Sequence, residues 1–477
     1  MTSVQRKASP QSSLWLDRGV TMSYFAGGGG ACQGIKAALG VEPDYAINHD
    51  PVALSVHKAN HPATQTLTSD VWSVDARLLL KNRTAGYIHF SPDCRHFSRA
   101  KSGKPVKKEI RGLAWVVARV AATTGVPLLT VENVVEWSHW GPLIQAEKDG
   151  EKLFDENGNA VMVPDPDKKG ETFKQWVAKL RSLGYTVEWS VLNAQDFGAP
   201  TSRKRLFVVA RRDGLPIVWP SATHGPGLIP YRTAAECIDW TTPAHSIFMS
   251  KDDARVVGVR RPLAENTLRR IATGVKRFIL EQNDLFVAET PDGDVIPYFV
   301  PRYGERKGQE PRCRSAERPF GTIVPGSNQG SLVLGCLAKH YTGVVGTDLR
   351  KPLGTITAVD HHSLTRCDAV AVLTEETRQR AVAVADFIRE YAGCDVPEII
   401  MVKGQALVDI SMRMLTPREL FRGQGFSDEF QFDVDADGNA VTQKAAMRLV
   451  GNSVPPAMIE ALVRANHPFA QTKEEAA

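Results

Sequence analysis

Cysteine is scarce in this chain, and its seven residues among 477 are scattered without a Cys-x-x-Cys spacing. An odd, unpaired set of cysteines is untypical of a disulfide-stapled secreted domain or of a zinc site. Long apolar runs are also missing, since none approaches the roughly 20 residues that a membrane helix requires. The N-terminus lacks the apolar segment of a signal peptide. We therefore expect a soluble cytoplasmic protein with reduced thiols and no membrane partner.

Neither sign of charge dominates the composition. The 58 Lys and Arg residues against 53 Asp and Glu residues give a net charge of +5, which permits nucleic-acid binding without requiring it. With 43% hydrophobic and 23% charged residues, the chain is neither disordered nor fibrous. Because 477 residues exceed one compact core, we expect two domains.

Residues 18–210 alternate short apolar runs with amphipathic segments, which predicts an α/β sheet with helical crossovers. The predicted strands are 20–25, 44–48, 87–90, 128–132, 185–192 and 205–210. The predicted helices are 32–39, 51–60, 111–123 and 171–183, and residues 145–170 are expected to form a polar hairpin insert.

The βα alternation fades after residue 212, although 263–280 and 443–465 again predict helices. Two segments in this region, 318–325 and 351–358, share a Pro-x-Gly-Thr-Ile core. They are either two equivalent strand-turn units or a coincidence of turn chemistry.

Four consecutive glycines, Gly27 to Gly30, follow the first predicted strand and open the first helix. Glycines there let the backbone approach a cofactor and place it at a helix N-terminus. A flexible turn is the alternative. No Gly-x-Gly-x-x-Gly pattern fits, because position 32 is Cys, and this disfavours a dinucleotide dehydrogenase.

A thiol and a carboxylic acid follow two neighbouring predicted strands. Cys94 lies in Ser-Pro-Asp-Cys-Arg-His-Phe-Ser after the 87–90 strand, and Glu132 ends the 128–132 strand. Side chains at two such strand ends can share a pocket. There a thiolate attacks an electron-poor ring while the acid protonates it.

Six segments, in the same order along the chain, resemble the motifs of the DNA (cytosine-5)-methyltransferases. They are Phe-Ala-Gly-Gly-Gly-Gly from Phe25, Pro-Asp-Cys from Pro92, Glu-Asn-Val from Glu132, Asn-Ala-Gln-Asp-Phe-Gly-Ala-Pro-Thr-Ser-Arg-Lys-Arg from Asn193, Arg-Glu-Leu-Phe-Arg-Gly-Gln-Gly-Phe from Arg418, and Gly-Asn-Ser-Val-Pro-Pro from Gly451. The resemblance implies an α/β fold, with an S-adenosylmethionine-dependent, Rossmann-like methyltransferase domain and a smaller, mixed target-recognition domain. The catalytic domain would span 16–212, completed by 443–470. The target-recognition domain would span 213–442 and include the Arg-Glu motif.

The resemblance also implies catalytic roles. Cys94 would add to carbon 6 of a cytosine, Glu132 would protonate ring nitrogen 3, and Arg205 would hold O2 with support from Arg203. The base would be flipped out of duplex DNA. The two arginines have an alternative reading as a solvated strand end.

Further residues would hold the cofactor and the DNA. The residues implied for S-adenosylmethionine are Phe25, Gly27, Gly29, Asn48, Asp70, Pro92, Asn452 and Ser453. Those expected to contact DNA lie in the basic segment after the thiol and are Ser98, Lys101, Lys104, Lys107 and Lys108. The alternative for that segment is an ordinary solvated loop.

Four positions depart from the family pattern. Asp93 and Arg95 flank the thiol where Pro and Gln are usual, and they push the pKa of the thiol in opposite directions. Asn48 replaces the acidic residue for the ribose hydroxyls, and Thr201 stands where Gln is usual. These changes bear on cofactor affinity and pocket detail more than on the reaction.

We expect double-stranded DNA as the partner, a monomer bound to the nucleoid, no metal, and a cognate restriction endonuclease as a further candidate partner. A metal cluster of His49, His57 and His61 is disfavoured because no cysteine joins them. One alternative keeps the fold and changes the substrate to transfer RNA. Another alternative is a catalytically silent DNA-binding homologue, which the retained Cys94, Glu132 and Arg205 disfavour.

Overall fold

The computed structural model describes residues 18–93, 112–155, 157–281, 373–402 and 405–470, together with the backbone of seven strands between 288 and 370. The glycine loop, Glu132 and both candidate arginines fall within these ranges. Cys94 and the five candidate DNA contacts, Ser98, Lys101, Lys104, Lys107 and Lys108, lie outside the described residues. Both Pro-x-Gly-Thr-Ile segments also lie outside them.

The N-terminal half contains one large sheet, crossover helices and a hairpin insert. The strands are β1 (Val20–Tyr24), β2 (Tyr45–Asn48), β3 (Gln65–Thr68), β4 (Ala85–Phe90), β5 (Leu128–Asn133), β6 (Leu143–Gln145), β7 (Glu147–Lys148), β8 (Glu151–Lys152), β9 (Met162–Pro164), β10 (Thr186–Asn193) and β11 (Lys204–Arg211). The helices are α1 (Gly30–Leu39), α2 (Pro51–Asn60), α3 (Ala76–Leu80), α4 (Trp115–Thr124) and α5 (Glu171–Ser182), with 3-10 turns at Val135–His139 and Ala194–Phe197.

The large sheet has seven strands in the order β10-β11-β5-β4-β1-β2-β3. Its neighbours are parallel except at β11, which runs antiparallel to both β5 and β10. A mainly parallel sheet with helical crossovers confirms the predicted α/β class. The two small antiparallel pairs β6–β9 and β7–β8 confirm a hairpin insert after β5.

The C-terminal half is mixed. Its strands are β12 (His245–Ser246), β13 (Ala288–Thr290), β14 (Gly293–Val295), β15 (Tyr298–Phe299), β16 (Arg314–Ser315), β17 (Ser331–Val333), β18 (Ala338–Lys339), β19 (His362–Val370), β20 (Met401–Val402) and β21 (Gln405–Met414). Its helices are α6 (Lys251–Val256), α7 (Glu265–Val275), α8 (Glu375–Ala392), α9 (Pro417–Gly423), α10 (Gln443–Asn452) and α11 (Pro456–Asn466), with a 3-10 turn at Ala235–Cys237 and a π-helical turn at Lys276–Leu280. A second sheet has eight strands, which are β12 and all the strands from β15 through β21. The longest pairing in it is the antiparallel pair β19–β21.

Both faces of the large sheet are buried, as the alternation along β4 shows. Ile88 and Phe90 pack with residues of α4 and α5, whereas Tyr87 lies in a second cluster with residues of α1 and α11. Helix α11 therefore returns from the C-terminal end of the chain to cover the N-terminal sheet. The close approach of α11 to α1 needs Gly34, where a Cβ would lie 2.3 Å from the Pro456 carbonyl oxygen.

The predicted helices and strands between residues 18 and 210 are confirmed with small shifts at the ends, and β3 and α3 are additional. The predicted helix 263–280 is α7 followed by the π-helical turn, and the predicted helix 443–465 is two helices, α10 and α11, separated by residues 453–455. Helix α4 is described from Trp115, whereas the prediction began at 111, outside the described residues. The two domain boundaries, at 212 and 443, stay predictions. A shared hydrophobic cluster spans them, because Val56 of α2 and Leu449 of α10 belong to the same cluster as Ile271 of α7. No helix in the described ranges is long and apolar enough to cross a membrane.

Candidate functional site

The carboxyl end of β5 and the start of β11 bring Glu132 and Arg205 together. The two strands are antiparallel with Phe207 opposite Glu132, so the chain enters β11 beside the end of β5. Arg205 Nε lies 2.9 Å from Glu132 Oε1, and the side chains are only 8% and 9% exposed. The predicted pocket shared by Cys94 and Glu132, at the ends of β4 and β5, stays a prediction because Cys94 lies outside the described residues.

Asn133 links the end of β5 to the segment that leads to Cys94. Its Nδ2 donates a hydrogen bond to the Pro92 carbonyl oxygen at 3.1 Å, and its Oδ1 accepts one from the Val134 amide at 2.9 Å. Pro92 and Asp93 are therefore held beside Glu132. Sequence reasoning noticed Asn133 only as part of the Glu-Asn-Val motif and assigned it no role.

A network of buried hydrogen bonds holds the segment that leads from β4 to Pro92. His89 Nδ1 lies 2.8 Å from Thr130 Oγ1, His89 Nε2 lies 2.9 Å from Ser91 Oγ, and the Tyr87 hydroxyl also bonds Thr130. Complete burial lowers the pKa of His89 to about 3, so the imidazole is neutral at physiological pH. The neutral imidazole, with a hydrogen bond at each ring nitrogen, fixes the position at which the chain leaves β4.

Arg203 lies two residues before Arg205 and is 3% exposed. Its carbonyl oxygen accepts a hydrogen bond from the Ala194 amide at 2.9 Å. Thr201, at the position that departs from the family pattern, is fully buried. Burial of both arginines excludes the alternative that they form a solvated strand end.

The glycine loop follows β1, and three of its residues have positive φ angles. Phe25, Gly27 and Gly29 have φ angles of 60°, 54° and 106°, in the left-handed region that glycine adopts at little cost. A Cβ at Gly27 would meet no described atom within 4 Å, so the loop borders open space. The first turn of α1 has no side-chain cap among the described contacts, which leaves its N–H groups available. This cradle fits a cofactor at a helix N-terminus.

The closing Gly-Asn-Ser-Val-Pro-Pro motif packs against the same loop. A Cβ at Gly30 would lie 2.0 Å from Ser453 Oγ and 2.5 Å from the Val454 carbonyl oxygen. Asn452 ends α10 directly before this contact. Gln424 secures the helix, since its Nε2 donates to the Val450 carbonyl oxygen at 3.0 Å.

Asn48 lies at the carboxyl end of β2, beside the glycine loop. Its Oδ1 accepts the Asp50 amide hydrogen at 3.0 Å, which directs the amide nitrogen away from Asp50. Asp50 caps α2 and forms an ion pair with Arg448 at 2.6 Å. Asp70 follows β3, is exposed, and accepts a hydrogen bond from the Trp72 amide. The structure thus places Asn48 close to the loop and leaves the Asp70 carboxylate accessible.

Glu419 of the Arg-Glu motif has a structural role that the sequence did not reveal. It is fully buried and pairs with Arg413 at 2.7 Å. Its carboxylate also accepts the Asp239 and Thr416 amide hydrogens. The only sequence signal was a Thr-x-x-Glu capping box at the start of α9. Within the described residues, no group of three or more His, Cys, Asp and Glu side chains could hold a metal ion.

Comparisons with known proteins identify the family. The family model for C-5 cytosine-specific DNA methylases matches residues 20–139, 146–266 and 355–467. The Type II methyltransferase M.AquIA of Picosynechococcus sp. is 26% identical over 243 residues, covering 47% of this chain and 89% of that protein. M1.HphI of Haemophilus parahaemolyticus, also a Type II methyltransferase, is 27% identical over 208 residues, covering 43% of this chain and 48% of that protein.

Among solved structures, a mutant of DNMT2 from Spodoptera frugiperda aligns over 94% of this chain and 99% of that chain, with 15% identity and a TM-score of 0.47. The family match covers most of the chain and includes the segments that hold Glu132, Arg205 and Ser453. It confirms the resemblance drawn from the motifs. The chain belongs to the C-5 cytosine-specific DNA methylases, enzymes whose cofactor is S-adenosylmethionine.

Proposed function

We propose that this protein methylates carbon 5 of a flipped-out cytosine in a specific double-stranded DNA sequence, through a covalent adduct with Cys94. The observation that carries the proposal is the buried Glu132–Arg205 pair, which Asn133 ties to Pro92, two residues before the thiol. Ring nitrogen 3 and O2 of cytosine are neighbouring atoms. An acid and a guanidinium 2.9 Å apart offer matching partners to these two atoms.

The reaction then follows from the chemistry of these side chains. The first step requires the Glu132 carboxyl group to carry a proton, and the ion pair with Arg205 is the arrangement after that proton has been given up. The Cys94 thiolate forms a bond to carbon 6, while Glu132 gives its proton to nitrogen 3 and Arg205 holds O2. S-adenosylmethionine supplies an electrophilic methyl group. Electron density displaced onto carbon 5 makes that carbon the nucleophile for the methyl group. Methyl transfer would leave S-adenosylhomocysteine. Water would then take the carbon 5 proton, and the electron pair of that C–H bond would expel the Cys94 thiolate from carbon 6. The nitrogen 3 proton would return to the Glu132 carboxylate, which restores the aromatic ring.

The cofactor is proposed to lie against the glycine loop. Phe25, Gly27 and Gly29 would line it on one side, with Pro92, Asn452 and Ser453 on the others. Asn48 would donate from its amide nitrogen to a ribose hydroxyl oxygen, because its oxygen already bonds Asp50. Asp70 would accept from the adenine amine.

The basic segment after the thiol is proposed to contact phosphates. Ser98, Lys101, Lys104, Lys107 and Lys108 would hold the duplex while the base is flipped. The relatives named above are Type II methyltransferases. On that basis we propose a role in restriction-modification or in phage or host DNA protection, in which methylation protects DNA sites from a cognate endonuclease. We further propose that the protein acts as a monomer on nucleoid DNA in the cytoplasm.

The test is mass spectrometry of nucleosides after incubating unmodified plasmid DNA with the protein and S-adenosylmethionine. New 5-methyldeoxycytidine is expected with the wild type and none with Cys94→Ala, which should still bind DNA. Glu132→Gln should lower the rate by about 10²–10⁴-fold, the usual contribution of a positioned acid. Cys394→Ala changes a free, partly exposed thiol and serves as the matched control.

A duplex that carries 5-fluorocytosine tests the adduct itself, because fluorine at carbon 5 blocks the final proton loss. The wild type should form a denaturant-resistant complex with this DNA, and Cys94→Ala should not. Methylation that survived Cys94→Ala would show that another group is the nucleophile. Methylation of RNA but not DNA would overturn the proposed substrate, while the proposed reaction at carbon 5 of cytosine would still stand.

A further inference from the structure

Two buried histidines lie directly behind the glycine loop. His57 in the last turn of α2 and His61 at its C-cap are both fully buried, with ring centroids 4.7 Å apart. A Cβ at Gly29 would lie 3.0 Å from His61 Cδ2 and Nε2 and 3.2 Å from His57 Cδ2. Gly29 therefore packs directly against both imidazole rings.

The polar atoms of this support are poorly satisfied. Both ring nitrogens of His57 and Thr64 Oγ1 are buried without a hydrogen-bond partner among the described residues, and His61 has only the Gly29 backbone beside it. Buried polar groups in native proteins are otherwise almost always bonded, and isolated exceptions often mark a functional constraint.

The surroundings oppose a charge on either ring. Burial, then the neighbouring His61 and Lys58, lowers the pKa of His57 well below its usual range. Burial also lowers the pKa of His61 to about 4, with Glu42 and the Gly29 backbone raising it and Lys36 lowering it. Glu42 is itself held by Lys36 and by the Ala63 amide. Both imidazoles are consequently neutral near pH 7.

Protonation of either ring would place an uncompensated charge in a fully buried site beside the other imidazole. The charged ring would regain hydration if the end of α2 moved towards water. That movement would remove the contact between the two imidazole rings and Gly29. Gly29 is the N-cap of α1 and has a φ of 106°, so this contact lies where the loop enters the helix.

We propose that His57 and His61 are positioning residues that hold the glycine loop in its cofactor-binding conformation only while both imidazoles are neutral. Acidification then weakens cofactor binding directly, independently of DNA. The inference rests on the proposed function, in which the cofactor lies against this loop.

The experiment measures the dissociation constant of S-adenosylhomocysteine by calorimetry between about pH 4 and pH 8. Linkage allows up to a tenfold weakening per pH unit for each proton taken up. Because burial lowers the pKa of His61 to about 4, we expect the wild type to keep its affinity down to about pH 5 and to bind about twofold more weakly at about pH 4. His57→Gln and His61→Gln should each flatten the profile, because glutamine stays neutral. His49→Gln is the matched control, since His49 is exposed and precedes α2 on the same segment.

A second measurement uses only the wild type, in case the variants fold poorly. Isotope-labelled histidine spectra would follow the titration of His57 and His61 with and without the ligand. Reciprocal coupling requires saturating ligand to lower their apparent pKa values further. Unchanged titration, or equal pH profiles in wild type and glutamine variants, would overturn the inference. Failure of the wild type to bind ligand even at about pH 8 would instead reject the proposed cofactor site.

Discussion

The ion pair of Glu132 and Arg205 shows how burial turns two ordinary side chains into a constrained site. Each charge has lost most of its hydration, and each depends on the other for compensation. Arg205 also donates to the Lys204 carbonyl oxygen at 2.8 Å. Removing one partner therefore leaves a charge that the surrounding strands cannot satisfy.

We predict that Arg205→Ala lowers the free energy of unfolding by about 3–5 kcal/mol, the usual cost of an orphaned buried charge. Urea unfolding without DNA or cofactor would measure it. Arg269→Ala removes an exposed ion pair with Glu265 and should cost only about 0.5 kcal/mol or less. Similar losses in the two variants would mean that Glu132 is solvated in solution.

At the scale of elements, the crossing of α1 and α11 joins the two ends of the chain. Gly34 brings the helices into backbone contact, where a Cβ would lie 2.8 Å from Ile459 Cβ as well as 2.3 Å from the Pro456 carbonyl oxygen. The crossing also sets the position of Ser453, because the Ser-Val-Pro segment directly precedes α11. Correct helix packing is therefore required to form the cofactor loop.

Gly34→Ala should destabilise the protein by about 1–3 kcal/mol, since the new methyl group meets backbone that cannot rotate away. Thermal unfolding of the cofactor-free protein would show the change. Gly28→Ala is the control, because its Cβ would lie an ordinary 3.4 Å from Leu449 Cδ2. An equal loss for Gly28→Ala would place the strain in the loop rather than in the helix crossing.

The elements also show which parts of the structure the sequence could predict. Strands such as β4 and β5 are buried on both faces and leave continuous apolar runs, so they were recognised. Strand β3 contains only Leu67 as an apolar residue, and it was missed because a partly exposed edge strand has no such run. In the second sheet, Ser331 pairs with Met414, and such distant pairings are not encoded in any local pattern.

The same limit applies to the site. Motif spacing predicted Glu132 and Arg205, whose roles depend on residue type. The Asn133–Pro92 hydrogen bond and the buried Glu419–Arg413 pair depend on which strand ends meet in three dimensions. These contacts could be found only once the sheet order was known.

At the scale of the whole molecule, DNA binding should depend on salt through the basic segment. Each phosphate contact contributes about 0.9 to the slope of log affinity against log salt. Lys101→Ala and Lys104→Ala should each reduce that slope by about 0.9 between roughly 50 and 200 mM salt. Lys179→Ala alters an exposed lysine of α5 and serves as the control. Unchanged slopes in the first two variants would show that the segment is solvated in the complex.

Acid stability should be governed by four buried histidines. Burial lowers the pKa of His89 to about 3 and those of His61 and His467 to about 4, and it lowers the pKa of His57 well below its usual range. Below an unfolded-state pKa near 6.5, the unfolded chain takes up protons that the native state does not. Their stabilising contribution is therefore complete above about pH 6.5 and falls as the pH drops towards the folded values.

We predict that the free energy of unfolding decreases steadily between about pH 6.5 and pH 5, each histidine adding up to about 1.4 kcal/mol per pH unit. Urea unfolding across this range without ligand would measure the slope. His89→Gln should reduce the slope by about one proton, and His49→Gln, which changes an exposed side chain, is the matched control. Asp44 and Asp213 cannot account for the loss, since the hydrogen bonds and arginine partners of each outweigh its burial and lower its pKa below the usual range. A flat profile would mean that the imidazoles reach water in the native state, which would also remove the physical basis for a proton-sensitive cofactor loop.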